Sequence, residues 1–151
     1  MIGDAAGHND PTIGQGLSIT MRDVRLVAET LAGTAEWGDG LFASYSAERR
    51  ERMRRLRFTA RLWSKLRCEF DSDARQRRVE LGRRLSGRPA AGLPLLTPLI
   101  GPIEQSDDAF GEAAVSNLLG EEWCLTNDGW FERTDEREGT GGRAARQTPP
   151  Q

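Results

Sequence analysis

The sequence has 151 residues, the length of one ordinary domain, and a net charge of −2. Only 37% of its residues are hydrophobic, while 29% are charged, and glycine and proline are frequent. Ordinary globular domains are more apolar, so we expect part of the chain to be disordered and part to bury its apolar faces against something absent. No apolar run approaches the ~20 residues that span a bilayer, so we expect no membrane-spanning helix.

The N-terminus and the cysteines indicate where the protein is located and whether it holds disulfides or a metal. The first residues lack the basic region and the hydrophobic stretch of a signal peptide, so we expect a soluble, cytoplasmic protein. Cys68 and Cys124 lie far apart, and the chain has one histidine. This spacing fits neither a zinc site nor a disulfide framework, and we expect two reduced thiols and no metal.

Charge is unevenly distributed along the chain. Residues 46–88 hold 15 basic and 6 acidic side chains, a local net charge of +9, and the remainder carries −11. A basic segment can attract phosphate-bearing ligands, nucleic acid or an acidic partner, but arginine also commonly covers the solvated faces of helices.

Two helices are predicted in the first half of the chain. The first runs from Gly16 to about Leu31, follows a loop-like stretch over residues 1–14, and stops at Gly33. Its apolar stripe is Leu17, Met21, Val24, Val27, Ala28 and Leu31. The second runs from about Leu41 to about Cys68, with the apolar stripe Phe42, Tyr45, Met53, Leu56, Ala60, Trp63 and Leu66. The pairs Glu48–Arg52 and Glu51–Arg55 are expected to be surface ion pairs.

The second half predicts shorter elements. Residues Asp71–Asp73 should cap a third helix from about Ala74 to Leu85. Proline spacing in residues 89–105 predicts an extended segment. A short helix capped by Asp107 or Asp108 should reach about Leu119, and the turn Asn127-Asp128-Gly129 should join a hairpin between residues 123–125 and 130–131.

These elements define a mainly α fold with long Arg-rich helices and a small C-terminal hairpin. We divide the chain into four segments, which are a motif loop with its helix (1–35), a helical segment (36–88), a proline-rich linker with a short helix and the hairpin (89–135), and a disordered tail (136–151).

The stretch from Gly3 to Asp23 carries the candidate chemistry. Its informative residues are Gly3-Asp4-Ala5-Ala6, then Pro11, then Gly14-Gln15-Gly16-Leu17-Ser18, and then Arg22-Asp23. The carboxylate of Asp4 can accept hydrogen bonds from ligand hydroxyls. Gly14 and Gly16 let the chain turn so that free N–H groups at a helix start point outward, and such a site favours negative charge.

This stretch resembles the second FAD fingerprint of the group A flavoprotein monooxygenases, the family of p-hydroxybenzoate hydroxylase. The usual form is GD-A-A-H, then P, then GQG, a hydrophobic residue and Asn, with an Asp in the following helix. Tyr45, Glu48 and Arg49 resemble the family's later Y…ER helix. The chain departs from the pattern at Gly7, where His is usual and His8 follows one place later, and at Ser18, where Asn is commoner. We interpret His8 as a bystander.

The resemblance implies a set of cofactor-binding residues, namely Asp4, Pro11, Gly14, Gly16, Leu17 and Ser18. By that resemblance Asp4 would bind a ribityl hydroxyl of FAD, and Pro11 would lie beside the isoalloxazine ring. The backbone N–H groups of Leu17 and Ser18 would face the N1–C2=O edge of the flavin, where a helix N-terminus stabilises negative charge.

The sequence contains no GxGxxG, and the family's substrate-binding sheet is missing as well. We therefore expect the C-terminal part of an enzyme whose parent fold resembles an α/β, Rossmann-like FAD-binding domain of the glutathione-reductase type. Its N-terminal FAD-binding segment would be missing, and Met1 would be a start inside a longer or broken reading frame.

By the same resemblance, the parent would use NAD(P)H and O2 to hydroxylate a small organic substrate, and the isolated chain would be inactive. No catalytic residue is identified. The alternative is a non-catalytic, Arg-rich helical module that binds an acidic partner or nucleic acid. The acidic residues that interrupt the basic run and its single lysine, Lys65, count against this alternative.

Overall fold

The computed structural model describes residues 1–127 and 129–134. They are mainly helical with a small antiparallel hairpin, which confirms the predicted fold class. The elements are α1 (Gly16–Ala32), α2 (Ala43–Arg67), α3 (Ser72–Gly87), α4 (Thr97–Ile100), α5 (Glu112–Leu118), β1 (Trp123–Leu125) and β2 (Phe131–Arg133). Short 3-10 turns cover Gly3–Ala6, Pro11–Ile13, Pro89–Leu96 and Asp107–Phe110. Within the described ranges, no helix combines the length and the apolar character that crossing a membrane requires.

The chain forms two compact units. One contains residues 1–70 and 95–105, and the other contains residues 71–94 and the described residues from 106 onward. In the first unit, α1 and α2 meet through a small apolar cluster of Ile19, Met53 and Leu56, with Ile13 packed against it.

The prediction that the apolar stripe of α1 forms its buried face is wrong. Leu17 and Met21 are 76% and 62% exposed, and the buried residues of this helix are Ile19 and Asp23. The helix therefore turns a face with a carboxylate at its centre toward the rest of the unit. Its more apolar face lies open among the described residues.

The long helix α2 matches its prediction within two residues at each end. Most of its predicted stripe is buried, including Met53, Leu56, Ala60 and Leu66, whereas Phe42 precedes the helix and is 37% exposed. The helix also buries Arg52 and Arg55, so the expectation that their ion pairs lie on the surface is wrong.

The proline spacing predicted an extended segment over residues 89–105, and this prediction is wrong. These residues form a 3-10 helix over Pro89–Leu96 and the single turn α4. Proline fits these turns because its fixed φ is that of a helix start and a short turn needs few N–H donors. Arg55 anchors the last part of this segment, since its Nη1 donates to the carbonyl oxygens of Pro102 at 2.9 Å and Gln105 at 2.7 Å.

In the second unit, α3 begins two residues earlier than predicted because Asp71 is its N-cap, with the carboxylate accepting from Ala74 N at 2.7 Å. The predicted helix from Asp107 or Asp108 is divided at Gly111, and neither aspartate caps it. The core of this unit consists of Ala74, Phe110, Ala114, Val115, Leu118, Leu119, Trp123, Cys124 and Phe131.

The predicted hairpin is present, with Trp123 paired to Arg133 and Leu125 paired to Phe131. Its second strand lies one residue beyond the prediction, and Trp130 stays 56% exposed. Asp128 of the predicted turn and the tail predicted to be disordered lie outside the described residues. Cys68 and Cys124 are both free, as expected.

Candidate cofactor site

The Gly3–Ala6 turn needs glycine at Gly3 and at Gly7, the residue that ends it. Gly3 has φ +56° and Gly7 has φ +113°, both in the region that side chains disfavour. A Cβ atom at Gly3 would lie 2.9 Å from Thr20 Oγ1 of α1, so the turn also packs too closely for any side chain there. Within the turn, Gly7 N donates to Asp4 O at 3.0 Å.

Arg49 of α2 binds this turn through its backbone carbonyls. Its Nη1 donates to Ala6 O at 3.0 Å, and its Nη2 donates to Gly3 O at 2.8 Å and to Gly7 O at 3.3 Å. Its Nε donates to Asp23 Oδ2 at 2.8 Å. The guanidinium group thus connects three elements: the turn, α1 and α2.

Asp23 is fully buried and ion-paired on both of its oxygens. Oδ2 accepts from Gly3 N at 2.9 Å as well as from Arg49, and Oδ1 accepts from Arg52 Nη2 at 2.6 Å. Burial raises the pKa of Asp23, but hydrogen bonds from Arg49, Arg52 and the Gly3 N–H outweigh it and hold the pKa below its ordinary value. The carboxylate is therefore charged at neutral pH.

Asp4 belongs to the same turn. Its side chain is exposed and makes no hydrogen bond with the described residues. Pro11 follows a short loop and begins a 3-10 turn that Asp10 caps by accepting from Thr12 N at 2.8 Å. The side chain of His8 is exposed, and its backbone carbonyl accepts from Arg57 Nη2 at 3.2 Å.

The N-terminus of α1 is open. Gly14 has the left-handed φ of +66°, and a Cβ at Gly14 or Gly16 would meet no atom within 4 Å. Gln15 occupies the N-cap position without capping the helix, because its side chain donates to Pro98 O at 3.3 Å instead. The first backbone bond of α1 is made by Ile19 N, so the N–H groups of Gly16, Leu17 and Ser18 have no partner in the described part of the chain.

All six residues implied by the resemblance therefore lie exposed at the surface of one compact unit. They form two groups, a carboxylate on the Gly3–Ala6 turn and an uncapped helix end, and α1 packs against that turn. The roles of Asp23, Arg49 and Arg52 were missed at the sequence level. Arg49 and Arg52 stand three apart on one helix face, downstream of an acidic residue in the preceding helix, and this pattern was the available signal.

A second ion-pair group on α2, Glu51 with Arg54 and Arg55, predicts that the free energy of unfolding falls in acid. Hydrogen bonds from Arg54 and then Arg55 outweigh burial and lower the pKa of Glu51 from 4.5 to about 2. A lowered pKa in the folded state means that this stabilisation is complete above about pH 4.5 and is lost as the pH falls toward 2. We expect Glu51→Gln to make the urea midpoint less dependent on pH across that window. Glu29→Gln, which alters an exposed pair with a 3.8 Å separation, should keep the wild-type dependence.

Comparison with known proteins gives one finding. Residues 1–59 match the family model described as the FAD binding domain, which is less than half of the chain. The match includes the turn, α1 and Arg49, which binds the turn, and it indicates FAD as the cofactor. No curated protein and no solved structure matches the chain.

Proposed function

We propose that residues 1–59, which match the FAD binding domain, hold the ribityl chain and the ring edge of FAD in a group A type monooxygenase. The observation that carries this proposal is the open, uncapped N-terminus of α1, the helix that packs against the turn with the exposed Asp4 carboxylate. The chain would be the C-terminal part of such an enzyme and inactive alone.

The exposed groups fit the cofactor chemically. The Asp4 carboxylate has no hydrogen-bond partner among the described residues and can accept a hydrogen bond from a ribityl hydroxyl. The free N–H groups of Leu17 and Ser18, at the positive end of a 17-residue helix, can bind the electron-rich edge of the flavin ring. No side-chain atoms at Gly14 or Gly16 obstruct that approach. Pro11 offers an exposed, rigid apolar surface beside the ring.

FAD, when bound, supplies the redox chemistry, with electrons from NAD(P)H and activation of O2 for hydroxylation of an organic substrate. The residues of this chain bind and orient. The helix end stabilises negative charge at the flavin edge, and it needs no rearrangement to do so because α1 is already formed. None of the named residues is assigned a proton transfer.

The open face of α1 supports a partner segment. Leu17, Met21 and Val24 are exposed at helical spacing and form an apolar strip on the helix that carries the proposed flavin contact. A further segment of an FAD-binding domain, which supplies the pyrophosphate and adenine contacts, would cover this strip. We propose an N-terminal FAD-binding segment as this partner.

The isolated chain should bind FAD weakly or not at all, because one turn and one helix end supply only part of the contacts. Equilibrium dialysis measures this directly, and a sub-micromolar dissociation constant would contradict the proposed division of the site.

Binding at the proposed atoms is tested by titrating the ¹⁵N-labelled chain with FMN at millimolar concentration. The amides of Leu17 and Ser18 should shift, and their failure to respond would contradict the proposed function.

The alternative of a nucleic-acid or acidic-partner module has less support. Many arginines of α2 and α3 are already paired with glutamates, as in Arg52–Glu48, Arg54–Glu51 and Arg84–Glu80. A polar cavity of about 480 Å³ in the second unit mixes Arg83 and Arg88 with Glu121 and Glu122, so its charge does not select anions. Salt-dependent binding of an oligonucleotide would favour the alternative.

A further inference from the structure

Arg49 differs from its exposed neighbours on α2 in what it binds. Its neighbours Arg50 and Arg54 are exposed, and Arg54 pairs with Glu51 within the same helix. Arg49 instead directs three of its four hydrogen bonds to the backbone of a turn more than 40 residues earlier. The fourth goes to Asp23, the fully buried carboxylate of α1.

These bonds decide which way the turn faces. The carbonyls of Gly3, Ala6 and Gly7 converge on the guanidinium group, and the N–H of Gly3 is bound by Asp23 from the same side. With its backbone groups held on the protein side, the turn presents the Asp4 side chain to solvent. The Asp4 side chain makes no hydrogen bond with the described residues, so it does not hold the turn itself.

We propose that Arg49, oriented by Asp23, is a positioning residue for the cofactor: it fixes the Gly3–Gly7 turn so that Asp4 meets the ribityl chain. This inference rests on the proposed function, because it takes Asp4 as the ligand contact. Arg49 acts through the backbone of the turn and does not itself touch the cofactor.

The planar fork of arginine is essential to this role. One guanidinium group reaches a carboxylate through Nε and three carbonyl oxygens through its two Nη atoms. A lysine ammonium keeps the charge next to Asp23 but has three donors on one atom and cannot span the same acceptors. Arg49→Lys therefore separates the positioning of the turn from the neutralisation of the buried carboxylate.

Amide hydrogen exchange of the chain without any flavin tests the positioning. In Arg49→Lys the amides of Gly3 and Gly7 should exchange at least about tenfold faster, because the turn opens locally. The amides of Met53 and Leu56 should keep their wild-type protection. Arg50→Lys, an exposed neighbour on the same helix, is the matched control and should leave both sets unchanged.

Two results would overturn the inference. Unchanged exchange at Gly3 and Gly7 in Arg49→Lys would show that the turn holds its shape without the fork. Exchange that rises by the same factor at Gly3, Met53 and Leu56 would show that Arg49 stabilises the whole unit and not the turn. Asp23→Asn, which keeps the side-chain shape and removes the charge, should also speed exchange at Gly3, and protection unchanged there would contradict the inference.

A parallel FMN titration keeps this inference distinct from the proposed function. If the function is right and Arg49 positions the turn, FMN should shift the amide NMR signals of Leu17 and Ser18 in the wild type and in Arg49→Lys. The amide signals of Asp4 and Ala5 should shift only in the wild type. Shifts at Asp4 and Ala5 that persist in Arg49→Lys would overturn the positioning role alone. A wild-type chain without FMN shifts would overturn the proposed function, and with it the ligand role of Asp4, even if the exchange result holds.

Discussion

Asp23→Ala is expected to lower the free energy of unfolding by about 3–5 kcal/mol, the usual cost of removing one partner from a buried ion pair. The substitution removes the acceptor for Arg49, for Arg52 and for the N–H of Gly3. Arg52 is 2% exposed, and its buried charge would keep Glu48 as its acidic partner but lose the shorter, fully buried contact with Asp23. Because a whole domain is stable by only about 5–15 kcal/mol, urea unfolding should show a large drop in midpoint.

Glu29→Ala is the control for this experiment, since it removes a carboxylate from the same helix. Glu29 faces Arg25 at 3.8 Å, and both side chains are more than half exposed. Exposed pairs of this kind contribute about 0–1 kcal/mol, so the midpoint should hardly move. Equal losses in the two variants would mean that burial of Asp23 has no special energetic role.

Asp4→Ala is expected to weaken FAD binding about ten- to a hundredfold in a parent protein that supplies the remaining contacts. A hydrogen bond to a charged acceptor contributes about 1.5–3 kcal/mol, and each 1.4 kcal/mol corresponds to tenfold in affinity. The free energy of unfolding of the apoprotein should stay almost unchanged, because the Asp4 side chain is exposed and bonds to no described residue. Flavin retention after gel filtration, together with urea unfolding, measures both effects.

His8→Ala is the matched control, two loop residues beyond the turn. Its side chain is exposed, and the bond it makes to Arg57 uses the backbone carbonyl, which alanine retains. Flavin affinity should change much less than in Asp4→Ala. If Asp4→Ala keeps its flavin and His8→Ala loses it, the register of the motif must be redrawn around Gly7 and His8.

Helix start and stop residues predicted the bounds of α1 and the cap of α3 well. Gly16 after a glycine loop and Gly33 as a stop bound α1 closely, and Asp71 caps α3 as its position suggested. The segment over residues 89–105 failed because proline excludes a long helix but not the short 3-10 and α turns that form there. Periodicity detects long elements, and a one-turn helix has too few residues to show a period.

The buried face of α1 could not be obtained from its apolar spacing. Leu17 and Met21 made the more regular stripe, yet Ile19 and Asp23 are the buried residues. A buried aspartate is costly unless its charge is paired, and its partners come from a helix more than 20 residues away. Whether a carboxylate is inside therefore depends on contacts that no local window contains.

The sequence by itself determined the motif, its glycine positions and the helix that follows, because turn and cap preferences act over a few neighbouring residues. It also singled out the exposed candidate residues, from Asp4 to Ser18. The tertiary structure alone decided how the turn is held. Arg49 and Arg52 were expected to be part of a basic helix surface. In the structure both donate hydrogen bonds to Asp23, and Arg49 also donates to the backbone of the turn. Long-range pairing of buried charges depends on how α1 and α2 pack, and that packing exists only in the folded chain.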